Sequence, residues 1–141
     1  MSNSGKPIEI LLVEDNPEDR ELTLRALRTV NLANRVHTVE DGAQALDYLL
    51  GDGARRPKVV LLDLKLPKLG GLEVLARLRS DERTRTLPVV ILTSSAEERD
   101  IVEGYRLGAN SYIVKPVGFD DFLRSVKELG LYWLLLNKAP G

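Results

Sequence analysis

Five short apolar runs, separated by amphipathic stretches, constrain this chain more than any other feature. The runs are Ile8 to Val13, Val36 to Val39, Val59 to Leu64, Val89 to Thr93 and Ser111 to Val114. Most are nearly continuous in Ile, Leu and Val, which predicts strands covered on both faces, as in a parallel sheet. The stretches between them carry helical spacing. Asn16 is placed as an N-cap, with Pro17 at the first helical position and acids after it, and that helix carries Leu22, Leu24, Leu27 and Val30. A second helix is expected from Ala43 to Leu50, closed by Gly51 and Gly53, and a third from Leu72 to Leu78. Ser95 and Glu98 make a capping box for a fourth, which ends near Gly108. The fifth starts near Phe119 and is expected to run to about Leu136.

Five β-α units with right-handed crossovers predict a three-layer α/β domain. The sheet should be parallel, with strand order 2-1-3-4-5. A chain of 141 residues, 43% apolar, suits one domain with its own core. The expected organisation is a disordered tail over 1–6, a folded domain over 7–137 with an extended C-terminal helix, and a tail over 138–141. No attached output domain is expected.

Lys and Arg total 20 against 21 Asp and Glu. The net charge of -1 gives no electrostatic reason to expect nucleic acid or an anionic membrane as a partner. Without cysteine there are no disulfides and no thiol catalysis. Met1 to Gly5 lack the basic start and apolar core of a signal peptide. Leu131 to Leu136 is too short to span a bilayer. The expectation is a soluble, cytoplasmic protein. His37, the sole histidine, has no companion Cys or His for a metal site. Arg55, Arg56, Arg83 and Arg85 read as solvated loop charges.

In parallel α/β sheets, ligands bind beyond the C-terminal ends of the strands. Here strand one ends in Glu14 and Asp15, strand three in Asp63, strand four in Thr93, and strand five in Lys115 and Pro116. Taken singly, each has an ordinary alternative. Glu14-Asp15 could be a solvated turn or a cap, Asp63 a cap, Thr93 a turn residue and Lys115-Pro116 a loop pair. Placed together, they bring three carboxylates, a hydroxyl and an amine to one rim. Crowded carboxylates raise one another's pKa unless a cation joins them. A hard divalent ion with oxygen ligands relieves this, and Mg2+ is the usual choice where phosphate is handled. Asp63 is then the candidate nucleophile of phosphoryl transfer, giving an aspartyl phosphate. Lys115 would offer charge and Thr93 a hydrogen bond to the phosphoryl oxygens. Ser94 and Ser95 are small enough to leave room beside Thr93. Pro116 is a candidate for a cis peptide bond, which would re-aim Lys115.

With these residues in place, the chain resembles the response-regulator receiver family from about Ile8 to Leu129. The resemblance is carried by L-L-V-E-D (Leu11 to Asp15), L-L-D-L-K-L-P (Leu61 to Pro67), I-L-T-S (Ile91 to Ser94) and Y-I-V-K-P (Tyr112 to Pro116). It implies a flavodoxin-like (βα)5 fold, with Asp63 as phosphoacceptor and Lys115 as the phosphoryl-binding lysine. It further implies Asp15, Asp63 and the backbone carbonyl of Lys65 as Mg2+ ligands, with Glu14 acting through water. The implied partner is a sensor histidine kinase. The E-D-N-P-E-D start and the Tyr132-Trp133 pair are similar to small single-domain regulators paired with bacterial phytochromes. There are two departures: Lys65 stands where many members have Asn, Met or an acid, and Gly70-Gly71 replaces a commoner Asp-Gly, a change expected to affect only the loop cap.

Phosphorylation adds charge and acceptor oxygens. The family pattern then moves Thr93 toward the phosphoryl group and swings Tyr112 inward, although tyrosine is also an ordinary half-buried strand residue. The surface of the fourth helix, fifth strand and fifth helix should change. Phe122, Val126, Leu129 and Trp133 follow helical spacing. Leu131, Tyr132, Leu134, Leu135 and Leu136 then exceed what one buried face needs, so a homodimer through this region and the C-terminal helix is expected.

Three rival readings compete with this one. A degenerate receiver that binds partners without phosphate fits poorly with an intact set of Asp15, Asp63, Thr93 and Lys115. A flavodoxin-like electron carrier needs an anion-binding loop after strand one, and Glu14 to Asp19 is acidic instead. An aspartyl-phosphate phosphatase would want its nucleophile on strand one with a second acid two places on. The protein is expected to promote transfer onto itself and to turn over no separate substrate.

Overall fold

The computed structural model describes residues 9–29, 35–54, 56–94 and 98–129. Its elements alternate without exception: β1 (Ile10–Val13), α1 (Pro17–Arg28), β2 (Val36–Val39), α2 (Gly42–Leu50), β3 (Val59–Asp63), α3 (Gly71–Ser80), β4 (Val89–Thr93), α4 (Glu98–Arg106), β5 (Ser111–Val114) and α5 (Phe119–Glu128). The strands form one parallel sheet in the order β2-β1-β3-β4-β5, as the alternation predicts.

Successive strand residues point to opposite faces, which divides the apolar runs between two cores. Ile10, Leu12, Val59, Leu61, Val90, Leu92 and Ile113 pack with Leu27 of α1 and with Phe122 and Val126 of α5. Leu11, Val13, Val60, Leu62, Val89 and Ile91 pack with Ala45 and Leu49 of α2 and Val74, Leu75 and Leu78 of α3. The three central strands are buried along their whole length. A strand buried on both faces has no polar alternation, and that is why those three runs are so uniformly apolar.

The helix ends follow local chemistry. Asn16 caps α1 by accepting from the Asp19 N–H at 2.9 Å, with Pro17 opening the helix. Asp41 caps α2 through the Gln44 N–H at 2.8 Å. The α1 register differs in one respect from a simple count of leucines. Thr23 and Leu27 are buried, whereas Leu22 lies on the outer side at 38% exposure. The core-facing stripe needs residues four apart, and Thr23 occupies the second place on it. At the far end, α4 gives way to Gly108, whose φ of +107° is a left-handed conformation that glycine adopts without strain. Arg79 closes that corner by donating to Gly108 O at 2.9 Å, Thr84 O at 3.1 Å and Asn110 Oδ1 at 2.9 Å.

Val30, the Ser95 half of the expected capping box, the N-terminal tail and the stretch from Leu131 to Leu136 lie outside the described residues. Among the described residues, no helix is long and apolar enough to cross a membrane.

Candidate functional site

Four strand ends meet at one rim of the sheet. β1 and β3 are neighbours, so the loop after Val13 and the end of β3 at Asp63 lie side by side. β4 and β5 continue the row, with Asp63 opposite Leu92, and Thr93 opposite Val114. Lys115 follows directly, its N–H donating to Thr93 O at 2.7 Å. The Lys115-Pro116 peptide is cis, as expected from the sequence.

The side chains converge. Lys115 Nζ lies 3.1 Å from Glu14 Oε1, 3.4 Å from Asp63 Oδ2 and 2.9 Å from Asp19 Oδ2. Glu14 is fully buried, and its other oxygen accepts from the Asn16 N–H at 3.3 Å. Asp63 is 3% exposed, with Oδ1 accepting from the Lys65 N–H at 3.2 Å. Arg20 steadies the β1–α1 loop by donating to Glu14 O and Asp15 O at 3.3 and 3.4 Å. Thr93 is buried at the end of β4. Tyr112 is half-buried on β5 and meets Tyr105 of α4 edge-on, with ring centres 6.1 Å apart.

The electrostatics follow from burial. Loss of water, then the neighbouring charge of Asp63, pushes the Glu14 carboxyl up to about 7, and Lys115 only partly offsets this. Burial works against the Lys115 charge, but hydrogen bonds to Asp19 and Glu14 and the charge of Asp63 outweigh it and raise its pKa. A carboxylate oxygen from each of Glu14, Asp15 and Asp63 can be drawn from a set lying within 4.8 Å of one another. Glu14 and Asp63 are buried and Asp15 is exposed. That all-oxygen, anionic cluster with one open side suits a hard divalent cation such as Mg2+.

Glu14, Asp15, Asp63, Thr93 and Lys115 therefore lie at this rim, with Tyr112 on β5, and Ser95 falls outside the described residues. Two contributors escaped that reading. In the sequence Asp19 is one of the acids that follow the Asn16 cap, yet it is the nearest carboxylate to Lys115 Nζ. No local sequence signal marks that contact, because Lys115 lies 96 residues away. The sequence presents Gly70-Gly71 as a loop cap, and Gly70 does cap α3 without a side-chain bond. A Cβ on Gly71, however, would stand 2.3 Å from Asp63 O and 2.8 Å from Leu64 Cα. The start of α3 thus presses directly on the Asp63 backbone.

Comparison with known proteins agrees with this architecture. The model of the response regulator receiver domain matches residues 10–127. The probable methanogenesis regulatory protein FilR2 of Methanothrix harundinacea is 44% identical over 138 residues, covering 96% of this chain and 89% of its own. The bacteriophytochrome response regulator RtBRR superposes with a TM-score of 0.81 at 50% identity, over 96% of this chain and 85% of its own. Response regulator Rcp1 of Synechocystis sp. is 36% identical over 141 residues, covering 97% of this chain and 96% of its own. Its Mn2+-bound crystal form superposes with a TM-score of 0.73 at 33% identity, over 95% and 98% of the two chains. Fold, rim and sequence agree, and the chain belongs to the response regulator receiver domain family.

Proposed function

We propose that this protein is a response regulator that accepts a phosphoryl group from a sensor histidine kinase on Asp63, with Mg2+, and signals through protein partners or a phosphorelay. The observation that carries the reading is the meeting of Lys115 Nζ with the buried Asp63 carboxylate, 3.4 Å apart, beside Glu14 and Asp15. In the transfer, the P–N bond of a kinase phosphohistidine breaks and a P–O bond forms to an Asp63 carboxylate oxygen. The imidazole nitrogen keeps the electron pair.

Asp15, Asp63 and the Lys65 carbonyl would hold the Mg2+, with Glu14 acting through water. When bound, the ion supplies positive charge that offsets the carboxylates and the donor's phosphate. The chain's own residues do the rest. Lys115 pairs with phosphoryl oxygens, and the Thr93 hydroxyl donates to them from the end of β4. Movement of Thr93 opens space for Tyr112, and the surface of α4, β5 and α5 changes with it. Val102, Tyr105 and Val114 are exposed on these elements, which supports a homodimer through this face. The likeness to RtBRR and Rcp1 supports a phytochrome-type kinase as the upstream partner. The protein turns over no separate substrate and works in the cytoplasm.

Beryllofluoride with Mg2+, a phosphoryl mimic, tests the reading. The expected result is a change in tyrosine fluorescence in the wild type and none in Asp63→Asn. An unmoved wild-type spectrum would favour a receiver that binds partners without phosphate.

A further inference from the structure

Lys115 has a third acidic neighbour that the proposed chemistry leaves unused. Asp19 accepts from Lys115 Nζ at 2.9 Å, closer than Glu14 at 3.1 Å or Asp63 at 3.4 Å. The contact is held from both sides. The Asp19 N–H is fixed by the Asn16 cap at 2.9 Å, and Pro17 opens the helix that carries it. The Lys115 side chain is only 8% exposed, so little water is available to replace a lost partner. Asp19 also lies outside the carboxylate cluster of Glu14, Asp15 and Asp63.

We propose that Asp19 is a positioning residue that holds Lys115 in the unphosphorylated protein and competes with the phosphoryl group for it. This rests on the reading of Asp63 as phosphoacceptor. An ammonium has three N–H donors and no acceptor. Here all three near partners are carboxylates, so phosphoryl oxygens arriving on Asp63 must displace one or share with it. Asp19 is the one whose other surroundings are most open, at 32% exposure. Its charge also repels an incoming anion. Both effects act in one direction, weakening the phosphorylated state relative to the resting one. Asp19 makes and breaks no covalent bond.

The test is titration of beryllofluoride at saturating Mg2+ into the wild type, Asp19→Asn and Glu18→Gln, with Mg2+ affinity measured separately for each. Glu18 is the control because it places the same charge in the first turn of α1, one residue earlier. The expected result is beryllofluoride binding roughly two- to fivefold tighter in Asp19→Asn, the scale of a partly exposed ion pair. Glu18→Gln should match the wild type. Mg2+ affinity in Asp19→Asn should not rise, because removing a carboxylate cannot favour a cation, whereas a merely structural lesion would weaken both ligands. Binding in Asp19→Asn that is equal to or weaker than in Glu18→Gln overturns the role of Asp19 and leaves the receiver reading standing. If the wild type takes up no beryllofluoride, the phosphoacceptor assignment falls first, and the role of Asp19 falls with it.

Discussion

Glu14 shows most clearly what the site demands of single residues. A carboxyl with no exposed surface, beside Asp63, holds its proton up to about 7 although its ordinary value is 4.5. Between those two values the unfolded chain ionises while the folded one stays protonated, so the unfolded state binds fewer protons. The contribution of Glu14 to stability then falls as pH rises across that window. In metal-free buffer, the melting temperature is expected to decrease from pH 4.5 to about 7 and to level off above it. Mg2+ should restore more of it at the upper end than at the lower, because only the ionised cluster attracts the cation. Glu14→Gln should flatten the metal-free profile. Thermal melts across pH, with and without Mg2+, check this. A wild-type profile that runs parallel to that of Glu14→Gln would mean that Glu14 does not titrate in this window.

The elements place these residues through contacts that are partly visible in the sequence. Strand identity, the Asn16 cap and the strand-end position of each acid were legible because they depend on neighbours a few residues away. Leu22 misleads in the same local view, since it is apolar yet faces outward while Thr23 turns inward. The pairing of Asp19 with Lys115 spans 96 residues and depends on how α1 leaves the sheet, which no short pattern records. Gly71 was hidden for a similar reason. Two adjacent glycines look interchangeable until α3 is seen against Asp63 O. A methyl at Gly71 has to displace backbone, whereas at Gly70 the nearest atom beyond its chain neighbours is Leu64 O at 3.8 Å. Gly71→Ala is therefore expected to cost about 1–3 kcal/mol, as overpacking does. Gly70→Ala should cost well under half of that. Urea denaturation of the two variants is the measurement, and equal losses would mean that α3 does not bear on Asp63.

At the scale of the whole molecule, one parallel sheet gathers acids from two strands and a lysine from a third at a single rim. The order β2-β1-β3-β4-β5 puts β1 next to β3, which brings Glu14 and Asp15 to Asp63 although they are far apart in sequence. The proposed output face is built on α4, β5 and α5, and β5 leads directly into Lys115 at the rim. Val102 and Tyr105 of α4 are 56% and 46% exposed, a substantial apolar cost for a face with no partner. Sedimentation at micromolar concentration is expected to show a dimer that Tyr105→Glu disrupts. A wild-type monomer, with or without beryllofluoride, would remove the dimer from the account.

The charge arrangement at the rim supports one central proposal, that Asp63 is the group that takes phosphate. Phosphotransfer from phytochrome-type and other candidate histidine kinases to the wild type and to Asp63→Asn measures it directly. Label is expected on the wild type, dependent on Mg2+, and none on Asp63→Asn. Equal labelling of the two proteins would contradict it.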